Sequence, residues 1–261
     1  MTLSARRLEV RRPGVDAARA FLLRDRTWNA YALGYLEGGA DEVELWAAVT
    51  DGDIQSLLLR AGLVRLHALF ASGDPAGLLE VATWIDRLPA SGVFSATGAG
   101  LESLSRRLRV GTSYEMTRMT VGRGDFRPVD AAAVRRLGPA DLGALQQMYG
   151  MWTDSQQLPG QLDRGVYYGV FEGARLVAVA GTHCVALRSR VGAVGNVLTH
   201  AGHRNRGFGA TTTTAVAREL FRMGCDEVVL NVRVANDAAR RVYERLGFRT
   251  HCTFVEGVFH T

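Results

Sequence analysis

Residues 195–210 decide the fold: Gly195-Asn-Val197-Leu198-Thr199-His200-Ala-Gly-His203-Arg204-Asn205-Arg206-Gly207-Phe208-Gly209-Ala210. The opening part, with Ala193 and Val194 before it, is apolar and β-prone and reads as a strand ending at Thr199. A loop of histidine, arginine, asparagine and glycine follows. After Gly207 the pattern becomes helical for about sixteen residues and stops at Gly224, a suitable C-terminal cap. Glycines at 207 and 209 let a ligand come close to the backbone. The first turn of a helix has unpaired N–H groups and a dipole that favours anions, so a pyrophosphate fits there. The glycine spacing is not the GxGxxG of dinucleotide-binding folds, and the motif falls on a late strand. A strand that stops at such a loop can leave N–H and C=O groups for an extended ligand with amides, such as pantetheine. Each feature alone also suits an ordinary strand-to-helix connection.

Outward from this stretch the pattern is regular. Gly165–Phe171 and Leu176–His183 read as strands about the turn Glu172-Gly173-Ala174, and Leu142–Trp152 as an amphipathic helix. Downstream, Glu227–Val232 is a strand. Asn236 is a plausible N-cap for a helix with Ala239, Val242, Tyr243 and Leu246 on one stripe, stopped at Gly247, and residues 248–259 read as extended. The first half repeats this order more faintly. Ala17–Leu36 reads as helix, Glu44–Thr50 and Ile54–Arg60 as strands about Asp51-Gly-Asp53, and Val64–Phe70 as a strand. Pro75–Ile85 is a helix, Ser91–Ser95 a strand, Leu101–Leu108 a helix and Tyr114–Val121 a strand. A repeat of roughly 130 residues implies two similar domains, 1–122 and 127–261, with Gly122–Pro128 as linker.

Arg204-x-x-Gly207-x-Gly209-Ala210, then Leu230-Asn-Val-Arg233, Asn236 and Tyr243-Glu-Arg-Leu-Gly-Phe248, resembles the GNAT superfamily of N-acetyltransferases. The resemblance covers about 165–250. It implies an α/β fold of two GNAT-like domains, each a mixed, largely antiparallel V-shaped sheet flanked by helices, with acetyl-CoA held where two parallel strands splay. Carried onto this chain, Val197, Leu198 and Thr199 would pair with pantetheine. Arg204, Asn205, Arg206, Gly207, Phe208, Gly209 and Ala210 would cradle the pyrophosphate, and Asn236 and Ala239 would approach the pantetheine arm. Tyr243 matches the tyrosine that often protonates the departing thiolate; read without the family, it is a half-buried core aromatic. The expected reaction is direct attack of an amine on the thioester in a ternary complex, with the Leu198 N–H stabilising the oxyanion.

The sequence also departs from the family. Many members have a carboxylate on the strand before the loop; here Asn196 stands there, and no acid lies between Arg190 and Thr199. Candidate bases are His183, His200, Glu256 or a water chain, and His203 reads as a loop-packing residue. The alternative function is a non-catalytic acyl-CoA sensor. In the first half the equivalent loop is Ala71-Ser-Gly-Asp74-Pro75-Ala-Gly77, without the arginine–glycine pattern, so that half is expected to bind no cofactor.

The net charge of +5 comes from arginine alone, since all 31 basic residues are arginine, scattered and often beside acids. That argues for codon bias and against a nucleic-acid surface. Cys184, Cys225 and Cys252 form neither a disulfide framework nor a metal pattern, so no metal is expected. Without a membrane-length apolar run or a secretory signal, a cytoplasmic location is expected. The acceptor amine and the oligomeric state are not legible.

Overall fold

The computed structural model describes residues 8–63, 66–150 and 158–261. The chain forms two compact units that are not consecutive in sequence. One takes the described residues to Leu36, with Ala40–Met116 and Thr253–Thr261; the other takes Glu37–Gly39 and Thr117–Cys252.

The first unit contains β1 (Glu9–Arg11), α1 (Val15–Leu22), α2 (Ala30–Gly34), β2 (Glu42–Thr50), β3 (Asp53–Leu63), β4 (Leu66–Gly73), α3 (Pro75–Trp84), β5 (Ser91–Ala96), α4 (Gly98–Leu104) and the start of β6 (Arg109–Gly122). Strands β1 to β4 pair antiparallel in order, and β4 pairs β5 in parallel from Ala68↔Val93 to Phe70↔Ser95. Asp51 and Gly52 both take positive φ in the two-residue β2–β3 turn, which suits the right-handed twist of a hairpin. The helix expected over Ala17–Leu36 is broken instead. Asp25 Oδ1 accepts from Trp28 N at 2.9 Å, a local bond that competes with the helical ladder, and Gly38 ends the run at φ 108°. Trp46, Leu58, Leu69, Val81, Phe94 and Phe259 are among the buried core.

The second unit contains the end of β6, then β7 (Arg135–Arg136), α5 (Leu142–Tyr149), α6 (Leu158–Arg164), β8 (Tyr167–Glu172), β9 (Arg175–Ala186), β10 (Val191–Thr199), α7 (Phe208–Arg222), β11 (Glu227–Arg233), α8 (Asp237–Arg245) and the start of β12 (Arg249–His260). Its strands lie in the order β6-β11-β10-β9-β8-β7, with β10 and β11 parallel and β7 to β10 antiparallel. The helix expected over Leu142–Trp152 ends at Tyr149, before Gly150 at φ 52°; Met151 and Trp152 lie outside the described residues. Helix α7 carries Thr211–Thr214 in succession, all buried. Two of their hydroxyls accept from Ala131 N at 3.1 Å and Val129 N at 3.2 Å, so the β-branched run ties segment 129–131 to the helix. The core here includes Val194, Leu220, Val228, Leu230, Tyr243 and Phe248.

Two strands are shared between the units. In the first, the far neighbour of β5 is the end of β12, from Val255↔Ala96 to His260↔Ser91. In the second, the neighbour of β11 is the end of β6. The residues beyond Cys252 therefore complete the first unit's sheet, whereas the sequence groups them with 127–261.

Candidate active site

The site is built where β10 leaves β11. Among the described residues the parallel ladder runs from Val191↔Glu227 to Val194↔Leu230, while β10 continues to Thr199 and β11 to Arg233. At the same point β10 gains one residue against β9, since Gly195 pairs Gly181 and the next partners are Leu198 and Val179. This bulge contains Asn196 at φ 52°, a left-handed conformation that asparagine tolerates better than most residues. After the bulge the strand presents Val197 to the cluster of Val194, Leu230 and Tyr243, and Leu198 to the one of Leu145, Tyr149 and Tyr167.

Asn196 is held from several directions. Its carbonyl accepts from the Tyr149 hydroxyl at 2.5 Å, its Nδ2 donates to the Tyr167 hydroxyl at 2.6 Å, and its Oδ1 lies 3.1 Å from His183 Nε2. Burial pushes both tyrosine hydroxyls well above their ordinary pKa, so they stay protonated and can serve as hydrogen-bonding groups, not bases. The tyrosines escaped the sequence reading. The available signal was Gly181, because a Cβ there would lie 2.2 Å from the Tyr167 ring, but a strand glycine does not name its neighbour.

The loop after β10 ends with Asn205 at φ 62° and Gly207 at φ 79°, and Gly207 is the N-cap of α7. Among the described residues no side-chain hydrogen bond caps this helix, as suits a start that presents its first N–H groups to an anion. Gly209 lies against the end of β10, since an ideal Cβ on it would be 3.4 Å from Thr199 Oγ1. Ala210 packs on the cluster that holds Val197 and Ala239, whereas Phe208 packs separately with Val170 and Val177. Arg204 is exposed, and Arg206 donates to Glu172 Oε1 at 2.6 Å. The predicted loop residues and the β10 terminus are thus brought together.

Asn236 caps α8, its Oδ1 accepting from Ala239 N at 3.1 Å. Tyr243, on that helix, is 7% exposed and meets Phe248 edge to face, ring centroids 6.1 Å apart. Burial pushes its hydroxyl pKa up to about 12. Of the candidate bases, His183 is exposed beside Asn196. His200 Nε2 faces Arg175 Nη2 at 2.6 Å, and a guanidinium only donates, so that lone pair is engaged. Glu256 sits on β12 in the first unit, opposite Ser95.

The corresponding helix of the first unit, α3, starts differently. Its N-cap Asp74 accepts from Gly77 N at 3.0 Å, and Pro75 stands at the first helical position. The carboxylate occupies the place a phosphate would need, and proline removes a donor.

The chain has the fold of solved GCN5-related N-acetyltransferases, here with parallel strands that part at a bulge and are joined in sequence by a glycine-led helix. Within it, residues 167–255 match the family described as FR47-like protein. A GCN5-related N-acetyltransferase from Kribbella flavida superposes with a TM-score of 0.63 at 20% identity, over 90% of this chain and 94% of that one. A tandem GNAT protein from the clavulanic acid biosynthesis pathway superposes with a TM-score of 0.56 at 12% identity, over 97% of this chain and 98% of its own. A Mycothiol acetyltransferase of Corynebacterium aurimucosum is 39% identical over 57 residues, which is 21% of this chain and only 19% of that protein.

Proposed function

We propose that the chain is an N-acetyltransferase that moves an acetyl group from acetyl-CoA to the primary amine of a small molecule or peptide. The observation that carries this reading is the start of α7, uncapped at Gly207 and packed by Gly209 against Thr199, where β10 has left β11. Pyrophosphate takes the N–H groups of 207–210, with Arg204 and Arg206 beside it, and pantetheine runs along Val197–Thr199 towards Asn236 and Ala239. The amine nitrogen attacks the thioester carbonyl within the ternary complex. The oxyanion is met by backbone N–H at the bulge, with Leu198 as the donor. The C–S bond then breaks, and Tyr243 gives its phenolic proton to the sulfur while the amine loses one to water or His183.

The burial of Tyr243 bears on the last step. A thiol pKa of about 8.5 against a phenol at about 12 leaves proton transfer uphill by about 5 kcal/mol if the thiolate stays solvated. The thiolate leaves into the same desolvated surroundings, which raise its own pKa and narrow that gap. A second reading, an acyl-CoA sensor without amine chemistry, is favoured by Asn196 at the position where many relatives carry an acid. Thiol release from acetyl-CoA over a panel of amines separates the two: turnover with any amine supports the enzyme. Micromolar binding without turnover across the panel would leave the sensor.

A further inference from the structure

The β8–β9 turn grips the segment leading into α7 from two sides. Glu172 and Arg175 face each other across the turn. Glu172 accepts from Arg206 Nη1 at 2.6 Å and lies 3.1 Å from His203 Nε2. Arg175 Nη2 lies 2.6 Å from His200 Nε2, and the Nδ1 atoms of His200 and His203 are 3.3 Å apart. Because arginine only donates, His200 Nε2 carries the lone pair and its proton sits on Nδ1. That proton faces His203 Nδ1, which must accept, so His203 is protonated on Nε2 and donates to Glu172. In the chain Arg175–His200–His203–Glu172, this arrangement of protons satisfies every contact.

The charged groups around the two rings are Glu172 and Arg175 from the hairpin and Arg204 and Arg206 from the loop. Loss of water, and then Arg175, His203 and Arg204, hold His200 below the ordinary histidine range. Arg206 is also seated at the helix start, 4.6 Å over the ring of Phe208, the first residue of α7. A polyphosphate arriving there competes with Glu172 for this guanidinium.

We propose that Glu172 sets the affinity of the anion site: a polyphosphate takes Arg206 from it, and the carboxylate is left with the His203 Nε2–H as its partner. The inference rests on the cofactor site proposed above. It predicts that binding tightens when the carboxylate no longer holds Arg206.

Calorimetry of wild type and E172Q with 3′-dephospho-CoA, and with acetyl-CoA in parallel, tests it. E172Q should bind about two- to fivefold tighter, the size of an exposed ion pair removed from competition. An E172Q variant that binds no tighter than wild type would overturn the inference while leaving the cofactor site standing. Absence of binding by either ligand would sink both. Imidazole nitrogen NMR gives a reading that needs no ligand: His200 should carry its proton on Nδ1 and His203 on Nε2, and the opposite tautomer at either would refute the chain.

Discussion

Replacing Gly209 by aspartate should move stability and binding in opposite directions. An ideal Cβ at this position meets Thr199 Oγ1 at 3.4 Å, an ordinary contact, so the fold accepts it. Residue 209 lies in the first turn of α7, where losing glycine and gaining a carboxylate both favour the helix, by about 0.5–1.5 kcal/mol together. The same carboxylate would stand against the pyrophosphate. Two unit charges about 5 Å apart at an effective dielectric of about 40 repel by about 1.7 kcal/mol, so affinity should fall at least tenfold. Titration calorimetry with acetyl-CoA, beside thermal unfolding of the free protein, reads both effects. Gly209→Ala is the control and should keep affinity within a few-fold. A Gly209→Asp variant with unchanged melting and unchanged affinity would mean that the phosphates do not sit at this helix. Loss of stability and binding together would point to a displaced helix and refute the charge argument.

Tyr243→Phe keeps the buried ring and should lower kcat by roughly 10²-fold with acetyl-CoA affinity nearly intact; an unchanged kcat would leave Tyr243 a core aromatic only. Titration should give one acetyl-CoA per chain, and Asp74→Ala should destabilise the chain by about 1 kcal/mol through the lost cap without creating a second site; a stoichiometry near two would contradict this. Asp141 accepts from both Arg135 Nη atoms and from Gly138 N, and the Arg135 bonds hold its carboxyl below the usual range. A depressed carboxyl pKa stabilises above its unfolded value near 4 and stops doing so as pH falls through the folded one. Asp141→Asn should therefore lower the melting temperature by about 2–4 °C at neutral pH and converge with wild type in strong acid; a deficit that persists in acid would show that charge is not the cause.

The loop and helix of the site were legible because their chemistry is local. Glycine spacing, the helical run after Gly207 and the cap at Asn236 all act within a few residues, and the structure places them as elements of one unit. Two other features are not local. The clamp of Tyr149 and Tyr167 on Asn196 joins residues far apart in sequence, one at its carbonyl and the other at its side-chain amide. Strand pairing is similar, for β6 and β12 follow comparable helices, and nothing in either strand says whether β5 or β11 will be its neighbour. The helix read over Ala17–Leu36 is interrupted where Asp25 Oδ1 accepts from Trp28 N, a local bond that the helical pattern does not announce.

The shared strands set the order in which this protein can be finished during synthesis. Domains usually fold from the N-terminus as the chain emerges, at about 5–20 residues per second. Here β5 gains its neighbour only when Thr253–Thr261 has been made, after the whole of the second unit's chain. From the completion of Met116 that is a wait on the order of ten seconds, during which one edge of β5 stays open to any strand that comes by. The N-terminal half is begun first and closed last, so a ribosome stalled between the two strands would hold an unfinished sheet.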